Sequence, residues 1–255
     1  MTDGDDWKQV QREIMCRDIP ERTTPLAEAG KEFIYLSLWS RPGLDRRDRR
    51  WVTMACCAAA DVPGASGAHV YAALESGDIT IDEMLEFSLQ FAVYCGWPRA
   101  TSLEAVIMEQ WRRIHEERGE LAPPFTSLAN QTLGTKDSEE RTARGSAKFN
   151  EVHLAPAPAP DTPYRDAGIL NFVFGHVWQR PGLSRRDRRL ITIPCVGASD
   201  APIPIISHVT SALHSGDITK EEMDEVVLHF SAYYGFAKAE VLENAVEAAW
   251  ASRPR

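Results

Sequence analysis

Apolar positions along this chain recur at helical spacing. Met84, Phe87, Phe91 and Tyr94 fall 3, 4 and 3 residues apart, which sets them on one face of a helix beginning after Thr80. Thr80 and Glu83 form a capping-box pattern at its start, and Thr219 and Glu222 repeat that pattern. Gly96 ends the first of these helices, and Pro98 opens the next at a place where its missing donor costs nothing. That next helix is expected to end near Trp111, and its counterpart near Trp250. Ser184 and Asp187 mark another helix N-terminus, and the helix runs on until Pro194 kinks or breaks it. His208 reads as the start of a short helix closed by Gly216 in a left-handed cap. Strand-type alternation is absent at any convincing length, so the predicted fold class is all-α.

The pattern is written twice. Shifting the sequence by 139 residues aligns 41–111 with 180–250 without a gap, and 34 of the 71 positions are identical. "RPGLDRRDRR" at 41–50 faces "RPGLSRRDRR" at 180–189, and "HVYAALESGDITIDEM" faces "HVTSALHSGDITKEEM". Upstream, the match continues with a single-residue indel to Thr24 and Asp161. A period this long marks a duplicated domain, not a solenoid, whose repeats span roughly 20–50 residues. The expected organisation is a first domain over 1–111, a linker over 112–160 and a second domain over 161–255. "LAPAPAPDTP" in the linker favours an extended, polyproline-like course, with a short helix allowed near 125–145.

Composition narrows the function classes. The chain has 255 residues, 44% hydrophobic and 25% charged, a globular balance with length enough for two modest cores. Its net charge of −9 repels a phosphate backbone, so the arginine-rich decamers are local features and no nucleic-acid partner is expected. The acidic "MTDGDDW" start does not read as a secretory signal, and no run approaches the roughly 18 apolar residues of a membrane span. The five cysteines are odd in number and form no CxxC pair, which fits a reduced cytoplasmic protein with buried thiols.

The ordered motifs "RPGL-x-RRDRR", a His about twenty residues on, "AL-x-SGDIT-x-x-E-M" and "Y-x-G" resemble the carboxymuconolactone decarboxylase family, related to the alkyl hydroperoxidase-D enzymes. The resemblance covers both units and implies two tandem copies of an alkyl hydroperoxidase-D-like helical domain. It also implies assembly into a homo-oligomer, either a dimer or a trimer. The peroxidase branch of the family carries a CxxC ending four residues before the His. Here Val62 and Ala65 stand at those places before His69, and Ala201 and Pro204 before His208. Without an attacking and a resolving thiol, thiol peroxidase chemistry is disfavoured. Cys56 and Cys195 match each other inside an apolar helix and read as core.

The decarboxylase branch implies a cofactor-free, metal-free lyase acting on a carboxylated unsaturated lactone such as 4-carboxymuconolactone. That chemistry needs donors at the carboxylates and a group to return a proton to carbon. His69 and His208 hold the family's His position. Glu86 and Glu225 sit one turn into their helices, where a carboxylate at the mouth of an apolar groove invites a raised pKa. Glu225 is four residues before His229, on the same helix face, whereas the first copy has Gln90 there. Arg49 and Arg188, at an Arg of the family pattern, are the candidates to clamp a substrate carboxylate. Tyr94 and Tyr233 of the Y-x-G motif and His176, which replaces Ser37, complete the substrate-binding candidates. A second reading keeps the fold for another proton-transfer reaction, isomerisation or hydrolysis, and a third is a non-enzymatic binding or assembly module. Differences between the copies suggest that only one is catalytic.

Overall fold

The computed structural model describes residues 6–124 and 137–253. Among these residues every regular element is helical. In the first copy α1 (Asp6–Met15) and the short α2 (Pro25–Ala29) lead into a π-helical segment (Gly30–Trp39), followed by α3 (Arg46–Ala59), α4 (Pro63–Glu75), α5 (Ile81–Cys95) and α6 (Trp97–Glu117). In the second, α7 (Ser138–His153) leads into a π-helical segment (Tyr164–Phe174), then α8 (Arg185–Ala198), α9 (Pro202–His214), α10 (Lys220–Tyr234) and α11 (Phe236–Ala251). Part of the helix expected near 125–145 lies outside the described residues. No described helix is long and apolar enough to cross a membrane.

Capping follows the sequence closely. Thr80, Ser184 and Thr219 each close a complete capping box with Glu83, Asp187 and Glu222, which satisfies two otherwise orphaned amides per helix. Three expectations are corrected. Helix α9 starts at Pro202, six residues before His208, because proline is well suited to a first turn. Helix α8 passes unbroken through Pro194, since burial on all sides offsets the lost amide bond. Helix α6 continues past Trp111 to Glu117, held by buried Ile107 and Ile114, seven residues apart on one face.

Helices α3 and α8 form the centre of the molecule. Both are buried around nearly their full circumference, as expected of a helix packed on every side. They pack on each other, and each also takes a helix from the opposite copy: α10 lies against α3, and α5 against α8. The two copies are therefore interlocked. Charged crosslinks fix the crossing: Arg186 donates to Asp48 at 2.6 Å, Arg47 to Asp187 at 3.3 Å, and the Trp51 indole N–H to Asp187 at 2.8 Å.

The segment preceding the second unit has a counterpart in the first. Helix α1 packs on the first π-helical segment and on α4, and α7 packs on the second and on α9. Both helices end on a left-handed residue, Cys16 (φ 53°) and Leu154 (φ 55°). The 138-residue shift that relates Pro25 to Pro163 also relates Cys16 to Leu154, and thus Met15 to His153. Helix α7 lies so close to its π-helical neighbour that a Cβ on Gly145 would stand 1.7 Å from the Leu170 carbonyl oxygen.

Candidate functional site

Interlocking places each copy's arginine helix beside the other copy's glutamate helix. On the first of the two resulting clusters, Arg49 and Thr53 of α3 meet Glu225, His229 and Tyr233 of α10, with His69 of α4 and Trp39 alongside. Glu225 accepts from Arg41 at 2.6 Å and from Arg49 at 3.0 Å. The His229 ring lies between Thr53 Oγ1, 2.6 Å from Nε2, and Arg49 Nη1, 3.5 Å from Nδ1. Trp39 donates to the Tyr233 hydroxyl at 2.8 Å, and the His69 ring meets Tyr233 edge-on at 5.4 Å.

The second cluster repeats this plan with the copies exchanged. Arg188 and Thr192 of α8 meet Glu86, Gln90 and Tyr94 of α5, with His208 of α9 and Trp178 alongside. Arg180 grips Glu86 through two nitrogens, at 2.8 and 2.5 Å. Arg188 donates to Gln90 Oε1 at 2.7 Å, and Gln90 Nε2 donates to Thr192 at 3.0 Å. Trp178 donates to the Tyr94 hydroxyl at 3.0 Å, and the His208 ring meets Tyr94 edge-on at 5.3 Å. Gln90 thus does for Arg188 and Thr192 what His229 does for Arg49 and Thr53.

Glu225 is not poised as an acid. Burial pushes the Glu225 pKa up, but Arg41 and Arg49 outweigh it and hold it below the usual carboxylate range, correcting the expected rise. Glu86 is buried too, enclosed by Arg180. The guanidiniums of Arg49 and Arg188 donate to protein acceptors, including the backbone carbonyls of Arg41 and Arg180. Both are almost wholly buried, with 0% and 2% exposure, so these arginines bind the clusters together. The other decamer arginines serve as structural ties: Arg46 and Arg50 hold Asp78, and Arg185 and Arg189 hold Asp217.

The imidazoles are neutral at pH 7. Burial, reinforced by Arg50, pushes His69 down to about 3. Burial and then His153 and Arg189 push His208 well below its ordinary value, and burial with Arg49 does the same to His229. His229 is tied to its neighbours, but Nδ1 of His69 and of His208 is buried with no protein partner.

A cavity of about 870 Å³ separates the two clusters in character. It opens beside the second cluster, and Tyr94, His208, Phe149, Phe172 and Ile206 are among the residues of its wall. Its cation is Arg165, which pairs with Asp161 at 2.7 Å. Beside the first cluster, Ile14 and Met15 of α1 pack against Trp39, with Tyr233 and Ala68 at the margin. His176 stands apart from the cavity wall; its ring lies 5.8 Å from Phe172, and burial pushes its pKa down to about 4. Arg188 and Glu86 are likewise outside the wall.

Five residues of the two clusters and the cavity wall are not among the candidates that the sequence offers. Thr53 and Thr192 look like ordinary core threonines until the partner helix from the other copy is in place. Arg41 and Arg180, at the start of the decamer, supply the ion pairs to Glu225 and Glu86. His153 sits in what reads as linker, and its equivalent in α1 is Met15, so comparing the copies gives no signal for it.

A model of the carboxymuconolactone decarboxylase family matches residues 25–108 and 166–248. A 4-carboxymuconolactone decarboxylase from Acinetobacter baylyi is 39% identical over 67 residues, 26% of this chain and 49% of the relative. A nitrosuccinic acid decarboxylase from Metarhizium robertsii is 36% identical over 77 residues, 29% of this chain and 53% of the relative. The chain thus spans about half the length of these curated relatives. With two matched stretches that between them cover most of its length, the chain belongs to the carboxymuconolactone decarboxylase family.

Proposed function

We propose that the protein is a carboxy-lyase that needs no cofactor, acting in the cavity beside the second cluster on a small carboxylate whose neighbouring group can accept electrons. The relatives' names describe such compounds, a lactone in one case and a nitro acid in the other. The observation that carries the reading is the wall itself: a buried, neutral imidazole with a partnerless Nδ1, set among aromatic side chains.

On a carboxylated unsaturated lactone, the bond to the carboxylate breaks and its electron pair moves through the conjugated system to the lactone carbonyl oxygen. CO₂ leaves, and a proton is returned to carbon. Apolar walls favour loss of the charge on the departing carboxylate. The Tyr94 hydroxyl, kept protonated by burial, and the imidazole N–H are donors for the developing oxyanion. His208, on the cavity wall, is assigned the role of handing the proton to carbon. Arg165 supplies a positive charge for a second carboxylate, while Glu86, Arg180 and Arg188 brace α5 so that Tyr94 keeps its place.

Incubating the protein with 4-carboxymuconolactone and measuring released CO₂ tests the proposal. Stoichiometric release above the spontaneous rate supports it; a rate equal to the protein-free control contradicts it.

A further inference from the structure

Helix α7 lies between the two stretches matched to the family, yet it brings a second imidazole to the cavity wall. The centroid of the His153 ring is 4.6 Å from that of His208. Nδ1 of each ring is buried without a protein partner. Phe149 and Phe174 pack on His153 at 4.4 and 5.3 Å and hold the ring in place.

The groups facing the pair come from four elements. Arg189 of α8 is the charge that acts on both rings, and it is already committed to Asp217, Ser211 Oγ and the Val152 carbonyl. Tyr94 of α5, His214 of α9 and Tyr164 and Arg165 of the second π-helical segment complete the titratable set on the wall. No carboxylate is among the described residues that line it. The surroundings therefore disfavour a proton in the empty cavity, and an entering dianion reverses that balance. In the first copy Met15 occupies the place of His153, packed against Trp39.

We propose that His153 and His208 act as a two-imidazole proton site, which takes up one proton when a dicarboxylate enters the cavity and delivers it to carbon as CO₂ leaves. The inference rests on the carboxy-lyase reading. In the step, the bond between carbon and carboxylate breaks and its pair of electrons is held as the dienolate. The proton shared by the two rings then passes to carbon, and both imidazoles return to neutral. Substrate dianion plus one proton gives product monoanion plus CO₂, so nothing is oxidised or reduced. With methionine in place of the second imidazole, the first copy has no such pair.

Calorimetric titration of the full chain with muconate, a conjugated dicarboxylate that does not turn over, in buffers of different ionisation enthalpy at pH 7 counts the protons taken up. About one proton per muconate is expected for the wild type, and less than about a third of that for His153→Gln. With 4-carboxymuconolactone, kcat of His153→Gln is expected to fall at least tenfold while KM stays within about twofold. If His153→Gln fails to fold, as judged by circular dichroism, His153→Met replaces it, copying the residue of the first unit. Muconate binding without proton uptake, or uptake unchanged in the variant, overturns the imidazole pair and leaves the carboxy-lyase reading standing. Failure of the wild type to bind muconate likewise overturns the imidazole pair, and the carboxy-lyase reading falls only if CO₂ release from 4-carboxymuconolactone equals the protein-free rate.

Discussion

Arg186 of the second copy reaches the carboxylate of Asp48 in the first at 2.6 Å, and this contact is half of a reciprocal pair. Its mate joins Arg47 to Asp187, so the two decamers clasp each other where α3 and α8 cross. Asp48 is almost completely buried, and burial alone raises its pKa before Arg186 offsets part of that rise. Removing the arginine leaves a buried charge without its main partner. Arg186→Ala is expected to lower stability by about 2–4 kcal/mol, somewhat less than a fully buried pair because the arginine is partly exposed. Denaturant unfolding checks this, and a loss below about 1 kcal/mol would show that the clasp is incidental.

The seat of α7 depends on a residue with no side chain. A Cβ at Gly145 would meet the Leu170 carbonyl oxygen at 1.7 Å and the Gly175 nitrogen at 2.9 Å, both backbone atoms that cannot swing aside. Gly145→Ala is therefore expected to cost about 3 kcal/mol or more and to lift α7 from the cavity wall. Hydrogen exchange of α7 amides would report the lifting directly.

Exchange of equivalents tests the two clusters. Gln90 already performs in one cluster the bridging that His229 performs in the other, between an arginine and a threonine. His229→Gln is expected to stay within about 1 kcal/mol of wild type, whereas His229→Leu leaves Thr53 and Arg49 short of a buried partner and costs about 2–3 kcal/mol. Thermal and chemical unfolding of the two variants distinguish these outcomes.

Much of this architecture is legible in one sequence, because helix caps and apolar spacing are local. Thr80 with Glu83 and Thr219 with Glu222 state where α5 and α10 begin, and the repeated decamer states that the fold is duplicated. The end of α6 was misjudged because the repeat stops at Trp111 while the helix does not. The crossing of copies is a tertiary choice: the spacing of Glu225 and His229 says they share a face, not that the face belongs to Arg49 in the other half. The same holds for His153, whose counterpart is a methionine, so that comparison of the copies erases the signal.

Acid should weaken the fold in a defined window. His69 and His153 are held at about 3 and about 4, and His208 and His229 also lie well below their ordinary value of about 6.5, so at intermediate pH the unfolded chain binds more protons than the folded one. Stability contributed by these neutral rings is complete above about pH 6.5 and is lost as pH falls towards about 4, at up to about 1.4 kcal/mol per pH unit for each ring. Glu225, held low by its arginines, adds its own loss only below the ordinary carboxylate range of about 4.3. Unfolding free energy measured from pH 7 to pH 4 is expected to fall throughout, and a flat profile above pH 5 would contradict the buried neutral imidazoles.

In the proposed function, turnover belongs to the cavity beside His208 and not to the cluster around His69, where Met15 packs against Trp39. CO₂ release from 4-carboxymuconolactone by His208→Ala and His69→Ala, each checked for an intact helical spectrum, measures it directly. A loss of at least about a hundredfold is expected for His208→Ala, and near wild-type rates for His69→Ala. Full activity in His208→Ala, or an equal loss in both variants, would contradict it.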